Sequence, residues 1–188
     1  MLIANRLYTK AEFYEFINQP ENADKHFELI DAEILETMPS FPIPSNIATW
    51  FVIYIGIYLM SNDIAYITDA QGGYDIDDEN LFVPDVAVTL KSRLPTLPLS
   101  TFVPIPPDIA IEVVSKSDLK DPKNRIERKL KKYLEAGVPL TWYVYYERKV
   151  VEVHQPGQPV QIIDIDGVLD GGGVLPGFQL AVKDIFRD

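Results

Sequence analysis

The sequence predicts an α/β (α+β) fold: one domain over residues 1–188, with a central mixed β-sheet flanked by helices and an added N-terminal helix and hairpin. Three observations point to it. The 188 residues are 47% hydrophobic, enough for one substantial core. Short apolar or alternating runs bounded by turn formers recur along the chain and read as strands. Between them lie stretches with helical spacing, above all Asp121–Gly137, which closely follows an apolar strand.

From the N-terminus, Thr9–Asn18 reads as a helix with a capping box, Thr9 at the N-cap and Glu12 three residues on. His26–Thr37 alternates about Asp31–Ala32 and reads as a hairpin, on which Glu28, Glu33 and Glu36 are expected to face solvent. Ser45–Met60 is strongly apolar and reads as a central packed helix capped by Ser45, and its longest apolar-rich segment, Ile47–Met60, is too short to span a membrane. Ala65–Asp69 is a short strand, and GGYD at 72–75 starts another. The acidic turn at 75–80 lacks the ligand spacing of an EF-hand loop.

Leu81–Leu90 contains an oddity: Asp85, behind Pro84, enters a strand otherwise suited to burial. Pro84 has no N–H to give a ladder, so pairing is expected to begin after it. The Pro-rich run 91–107 follows as a long loop. Asp108–Val114 is then a core strand, with Ile109, Ile111 and Val113 on one face and Ala110, Glu112 and Val114 on the other. A carboxylate among such neighbours is costly unless a cation or hydrogen bonds compensate it. In the next helix Asp121 suits the N-cap, Pro122 the first turn and Gly137 the C-terminal cap. Ile126, Leu130, Tyr133 and Leu134 make its apolar stripe, and Lys129 sits on the stripe's edge, the lysine best placed to lean inward. Thr141–Tyr146 and Lys149–His154 form a strand pair, whose aromatics Trp142-Tyr143 and Tyr145-Tyr146 read as core, with a dimer face as the alternative, and Val160–Ile165 is a further strand. Tight turns at Gly171–Gly173 and Pro176–Gly177 precede the closing FQLAVKDIF.

Composition narrows the chemistry. With no cysteine and two distant histidines, thiol catalysis, disulfides and Cys/His zinc sites are excluded. The opening residues lack a signal-peptide pattern, so a cytoplasmic location without membrane association is expected. The net charge of −11 speaks against a general nucleic-acid surface. Between Lys116 and Lys132, however, eight Lys and Arg face three acids, a local excess of five positive charges. Two carboxylates on adjacent strands can hold Mg²⁺, which prefers oxygen ligands. A nearby ammonium could then position an attacking water or stabilise charge on a phosphate.

These residues resemble a known family. Pro84-Asp85, then PPDIAIEVVS (Pro106–Ser115), then K-x-x-x-Y-x-x-AGV (Lys129–Val138) and TWYV are similar to the Uma-type restriction endonuclease family, assigned to the PD-(D/E)XK nuclease superfamily. Phe27–Ile34 and Leu175–Phe186 match its usual opening and closing, so the resemblance covers nearly the whole chain. It implies a restriction-endonuclease-like core and a metal-dependent endonuclease acting on DNA. Asp85 and Glu112 would bind Mg²⁺ or Mn²⁺, with the carbonyl of Val113 as a third ligand. Two residues after the Glu, where the superfamily usually has its lysine, stands Val114; Lys129 is the migrated counterpart. Glu28 would contact metal-bound water. Arg125, Arg128 and Lys132 would meet phosphates, and Ser115 and Ser117 would orient the metal shell. DNA binding is expected to be weak and non-specific for a monomer, and a homodimer would supply the two sites that cutting both strands needs. Many relatives carry a His before the long helix, where this chain has PSN (Pro44–Asn46). With the absent strand lysine, this leaves an alternative: a catalytically degenerate nuclease fold serving as a DNA- or protein-binding module.

Overall fold

The computed structural model describes residues 6–38, 41–99, 101–121 and 123–187; the side chain of Ser117 lies outside the described residues, as does Pro122, expected in the first turn of a helix. The chain folds as a mixed α+β structure around a six-stranded sheet, with a four-stranded sheet packed alongside.

Local sequence sets the first elements. Helix α1 (Lys10–Ile17) starts at Thr9, with both arms of the capping box formed. Strands β1 (His26–Ile30) and β2 (Glu33–Thr37) pair antiparallel about Asp31 and Ala32, which both take positive φ. A two-residue hairpin turn needs that backbone twist. Strands β4 (Tyr74–Asp77) and β5 (Asn80–Phe82) complete this sheet in the order β2-β1-β5-β4. Phe13 of α1 packs with Phe27, Leu29, Ile34 and Leu81 on one side of it. The Pro-rich loop is pinned here, with the Phe102 ring against Phe13 and Tyr14.

Leu81–Leu90 does not run as a single strand. At Val83-Pro84-Asp85 the chain leaves β5 and enters the six-stranded sheet as β6 (Val86–Leu90). As expected, pairing resumes only after the proline. The six-stranded order is β10-β9-β8-β7-β6-β3, built from β3 (Ala65–Asp69), β7 (Ile109–Val114), β8 (Leu140–Tyr145), β9 (Val150–His154) and β10 (Gln161–Ile163). Among the described strands of this sheet only β7 and β8 pair in parallel, and they are joined by α3 (Lys116–Leu119) and α4 (Arg125–Glu135). Strands β11 (Val168–Asp170) and β12 (Gln179–Ala181) form a separate pair.

Alternation along β7 divides the layers. Ile109, Ile111 and Val113 join Val86, Val88, Leu140, Trp142 and Val144 beneath the long helix α2 (Pro42–Ser61). On the other face Ala110 and Ala87 pack against Tyr133 of α4, and Val114 and Tyr143 pack against Ile126 of the same helix. TWYVYY is core as expected through Val144, with Trp142 and Tyr143 fully buried.

Two helix boundaries depart from expectation. Helix α2 begins at Pro42 rather than at Ser45, without a side-chain cap, because prolines in a first turn lack only N–H groups that have no partner there anyway. At 20 residues, α2 is long and apolar enough to reach spanning length, contrary to the shorter helix expected, yet it lies on the sheet. It is not buried all round: Pro44, Ile47, Phe51 and Ile55 form one buried stripe. Helix α4 starts after Asn124, which takes a left-handed conformation, and not after Asp121. The Asp121 carboxylate instead accepts from the Lys123 N–H, a local turn that delays the helix. Gly137, with φ +72, closes α4 as expected, and the Val138 N–H donates back to Tyr133 O.

Arg128 locks α4 to the hairpin. Its guanidinium donates to Asp31, Glu33 and the Ile30 carbonyl at 2.8, 3.2 and 2.8 Å. Against the burial that pushes it up, Arg128 and Lys132 hold the Asp31 carboxyl below its ordinary value. Arg128→Ala is expected to cost about 2 kcal/mol in urea unfolding, since charge-assisted bonds at a largely covered site are lost together. An unchanged midpoint would show that the hairpin docks without it.

Candidate active site

The site lies where the two sheets meet under α4. Glu28 comes from β1, Asp85 from the crossing between the sheets, Glu112 from β7 and Lys129 from α4. Each is placed by a separate local rule. Pro84 ends pairing on β5 and leaves Asp85 at the mouth of β6, on the side of the sheet shared with Ala87. Two-residue alternation turns Glu112 toward α4. Lys129 and Tyr133 stand one helical turn apart on the covered face of α4.

The side chains converge. The Lys129 ammonium lies 2.6 Å from Glu112 Oε1 and 2.8 Å from Glu28 Oε1. It also sits over the Phe82 ring, 5.4 Å from the centroid. Tyr133 OH donates to the same Glu112 oxygen at 2.8 Å, and the Val83 N–H donates to Glu28 Oε1 at 2.8 Å. The Val113 N–H donates to Asp85 Oδ2 at 2.7 Å. Glu28, Glu112 and Lys129 are 2%, 6% and 3% exposed, so none is a surface charge, while Asp85 is half-buried.

Charge is the unbalanced quantity. Buried Glu28 and Glu112 and half-buried Asp85 gather about one buried ammonium, so three less one leaves two formal negative charges in excess, which the neighbouring Arg125, feeling Glu28 and Glu112, offsets only from a distance. Burial pushes the Glu112 carboxyl up to about 7; Lys129 opposes this, and the charges of Asp85 and Glu28 add to it. Burial likewise raises Asp85, against the pull of the Val113 N–H and Lys129. Burial pulls Lys129 down, but Glu112 and Glu28 outweigh it, and the group is held as an ammonium. Tyr133 is raised well above its ordinary value by burial and then by Glu112, so it stays a phenol and a donor.

A pH dependence follows. The Glu112 carboxyl titrates near 4.5 when unfolded and about 7 when folded. Between those values the unfolded state binds fewer protons, so the stabilisation, complete below 4.5, is lost as pH rises through 7. Asp85, shifted the same way, adds to the trend. Chelator-treated protein is therefore expected to melt progressively lower from pH 4.5 to 7. A melting point that rises across this window would contradict the reading.

The residues fit a hard divalent cation by donor chemistry. All the carboxylates are oxygen donors. The bonds above use one oxygen of each, and among the described residues Asp85 Oδ1, Glu112 Oε2 and Glu28 Oε2 take no hydrogen bond. Among the described residues no group of three His, Cys, Asp or Glu already stands in a metal-holding arrangement, so a cation would have to draw these side chains together.

The structure corrects one expectation and qualifies others. Glu28 is not a solvent-facing strand acid, because α4 covers that side of the hairpin and Lys129 meets it there. Lys129 is not at an edge but wholly inside. The cations expected to meet phosphate all have internal carboxylate partners. Arg125 pairs with Asp118 at 2.8 Å, Arg128 with Asp31 and Glu33, and Lys132 with Asp31 at 3.2 Å. Ser115 caps α3: its N–H and Oγ donate to Asp118 Oδ2 at 2.9 and 2.6 Å. Sequence reasoning missed Tyr133 as a polar contact, having placed it in an apolar stripe; its place one turn after Lys129 was the available signal. It also missed Asp118, which joins Ser115 to Arg125 across the end of β7; its spacing of three from Ser115 is that of a capping box.

Comparison with known proteins agrees with this architecture. A crystal structure of a "putative nuclease belonging to DUF820" from Anabaena variabilis ATCC 29413 superposes with a TM-score of 0.75 at 22% identity, covering 92% of this chain and 96% of that one. The shared feature is the fold, a mixed sheet with helices on both faces. No protein of curated function matches the chain. The family model Uma2, described as "Putative restriction endonuclease", matches residues 11–183, from inside α1 to the turn after β12. That span includes Glu28, Asp85, Glu112 and Lys129, and the chain belongs to the Uma2 family.

Proposed function

We propose that this chain is a divalent-metal-dependent endonuclease that hydrolyses DNA phosphodiester bonds at the Asp85–Glu112–Lys129 cluster. The observation that carries it is the excess of carboxylate over ammonium in this cluster, two acids buried and Asp85 half-buried at its mouth, a charge state that a divalent cation relieves. Asp85 and Glu112 are the acidic ligands of Mg²⁺ or Mn²⁺, and the Val113 carbonyl is the third donor. When bound, the cation supplies positive charge against the scissile phosphate. Glu28 and Glu112 hold Lys129 as an ammonium, so it acts as a hydrogen-bond donor to water or phosphate rather than as a base. Tyr133 fixes one Glu112 oxygen and leaves the other to face the ligand. Arg125, anchored by Asp118, is the cation best placed to reach a phosphate, since its charge also feels Glu28 and Glu112. Ser115 supports that anchor, and Ser117 follows it on α3.

One observation favours the second reading, a non-catalytic DNA- or protein-binding module. Arg125, Arg128 and Lys132 are already engaged by Asp118, Asp31 and Glu33, so phosphate must compete with built-in partners. Either way backbone binding is weak for a single copy. The test is nicking of supercoiled plasmid and cutting of single strands with Mg²⁺ or Mn²⁺, alongside calorimetric metal titration. Cleavage lost in Asp85→Ala and in Glu112→Ala supports the enzyme. Cleavage that survives both removes these acids from the chemistry, and an intact fold that takes up no metal at millimolar concentration selects the module.

A further inference from the structure

Helix α2 carries two apolar faces, and among the described residues only one is buried. Its 20 residues, Pro42–Ser61, contain no Asp, Glu, Lys or Arg. The stripe Pro44, Ile47, Phe51 and Ile55 is buried on the sheet. Diametrically opposite lie Thr49, Ile53, Gly56 and Met60, with Ile57 at their flank. Ile53, Ile57 and Met60 are 39%, 59% and 86% exposed.

The spacing of this outer row is four, three, four, that of a coiled-coil seam. Large and small residues alternate along it: Thr49, Ile53, Gly56, Met60. Gly56 is the second feature. Glycine is a poor helix former, and a Cβ added there would meet nothing within 4 Å, so packing inside the chain does not demand it. A glycine in such a place lets another backbone approach.

We propose that α2 is a homodimer interface, two copies packing antiparallel about a two-fold axis between residues 54 and 55. In that arrangement Ile53 of each copy covers Gly56 of the other, and Met60 of each covers Thr49 of the other. A two-fold contact requires such self-complementarity, large against small in both directions. Charge selects the occupant. A chain with net charge −11 meets its own acids across most other contacts, whereas α2 presents none. Lipid fits less well, because an interfacial helix carries a row of Lys or Arg beside its apolar face, whereas α2 has none of its own and Arg187 stacks on Trp50 and Tyr54 at its flank. The proposal is independent of the chemistry at the site.

Sedimentation velocity on the full chain over about 1–100 μM tests it, with a shift from monomer to dimer mass expected. Ile53→Lys and Gly56→Glu should each raise the dissociation constant about 30-fold or more, as hot-spot changes do, with circular dichroism unchanged. Mixing the two variants should restore a heterodimer, because the introduced ammonium of one copy meets the introduced carboxylate of the other. A wild-type monomer throughout, dimers indifferent to both substitutions, or no recovery on mixing would each overturn the proposal. So would monomeric protein that floats with phosphatidylcholine–phosphatidylglycerol vesicles, which would assign the face to lipid.

Discussion

Lys129→Met is expected to lower unfolding free energy at neutral pH by about 3–5 kcal/mol, because removing one member of a buried ion network leaves its partners uncompensated. Those partners are Glu28 and Glu112, each within 2.8 Å of the ammonium and nearly inaccessible to water. The methionine chain fills the space of the lysine stem, so the loss reports charge more than packing. That separation can be measured. Urea unfolding of the variant should show a much smaller deficit near pH 5, where Glu112 is protonated, than near pH 8. Millimolar Mg²⁺ at neutral pH should recover part of the deficit by replacing the missing positive charge. A deficit equal at both pH values would mean that Lys129 acts through packing alone.

Asp85→Asn should separate stability from function in the opposite direction. The amide oxygen can still accept from the Val113 N–H, so this hydrogen bond to residue 85 survives. Burial disfavours the ionised carboxyl at this position, so the neutral isostere should hold or raise the melting point. Cleavage, in contrast, should fall about 10²- to 10³-fold or more, the scale of losing several kcal/mol of transition-state stabilisation. Higher stability with lost activity is the pattern of a functional group kept at a cost to the fold. If melting point and activity collapse together, Asp85 is a structural strand cap.

The two substitutions bracket the cluster. One removes the ammonium that Glu28 and Glu112 share and the other removes one of the excess anions, so opposite shifts in stability are the signature of a site negative by design. Uncharged replacements that shifted stability the same way would indicate an ordinary buried network.

What the chain alone determined was local. Capping at Thr9 and Glu12, reversal at Asp31–Ala32, the break at Pro84 and the close at Gly137 each depend on residues within one turn or one strand of each other. The singular carboxylates were legible for the same reason, since an acid inside IAIEVV is conspicuous whatever surrounds it. Lys129 was legible as a direction on a helical wheel and as the counterpart that the family resemblance implies. Tertiary structure decided everything that depends on what covers a face. Alternation says that Glu28 and Leu29 point to opposite sides of β1, but not that α4 roofs the side that Glu28 occupies. A positive run on a helix looks like a phosphate surface until the hairpin brings Asp31 and Glu33 across to it. An uncharged helix looks central until the sheet is seen to bury only one of its stripes. The physical reason is common to all three. Periodicity fixes which way a side chain points, whereas burial and pairing belong to contacts between segments as distant as Glu28 and Lys129, and these exist only once the sheets have closed over one another.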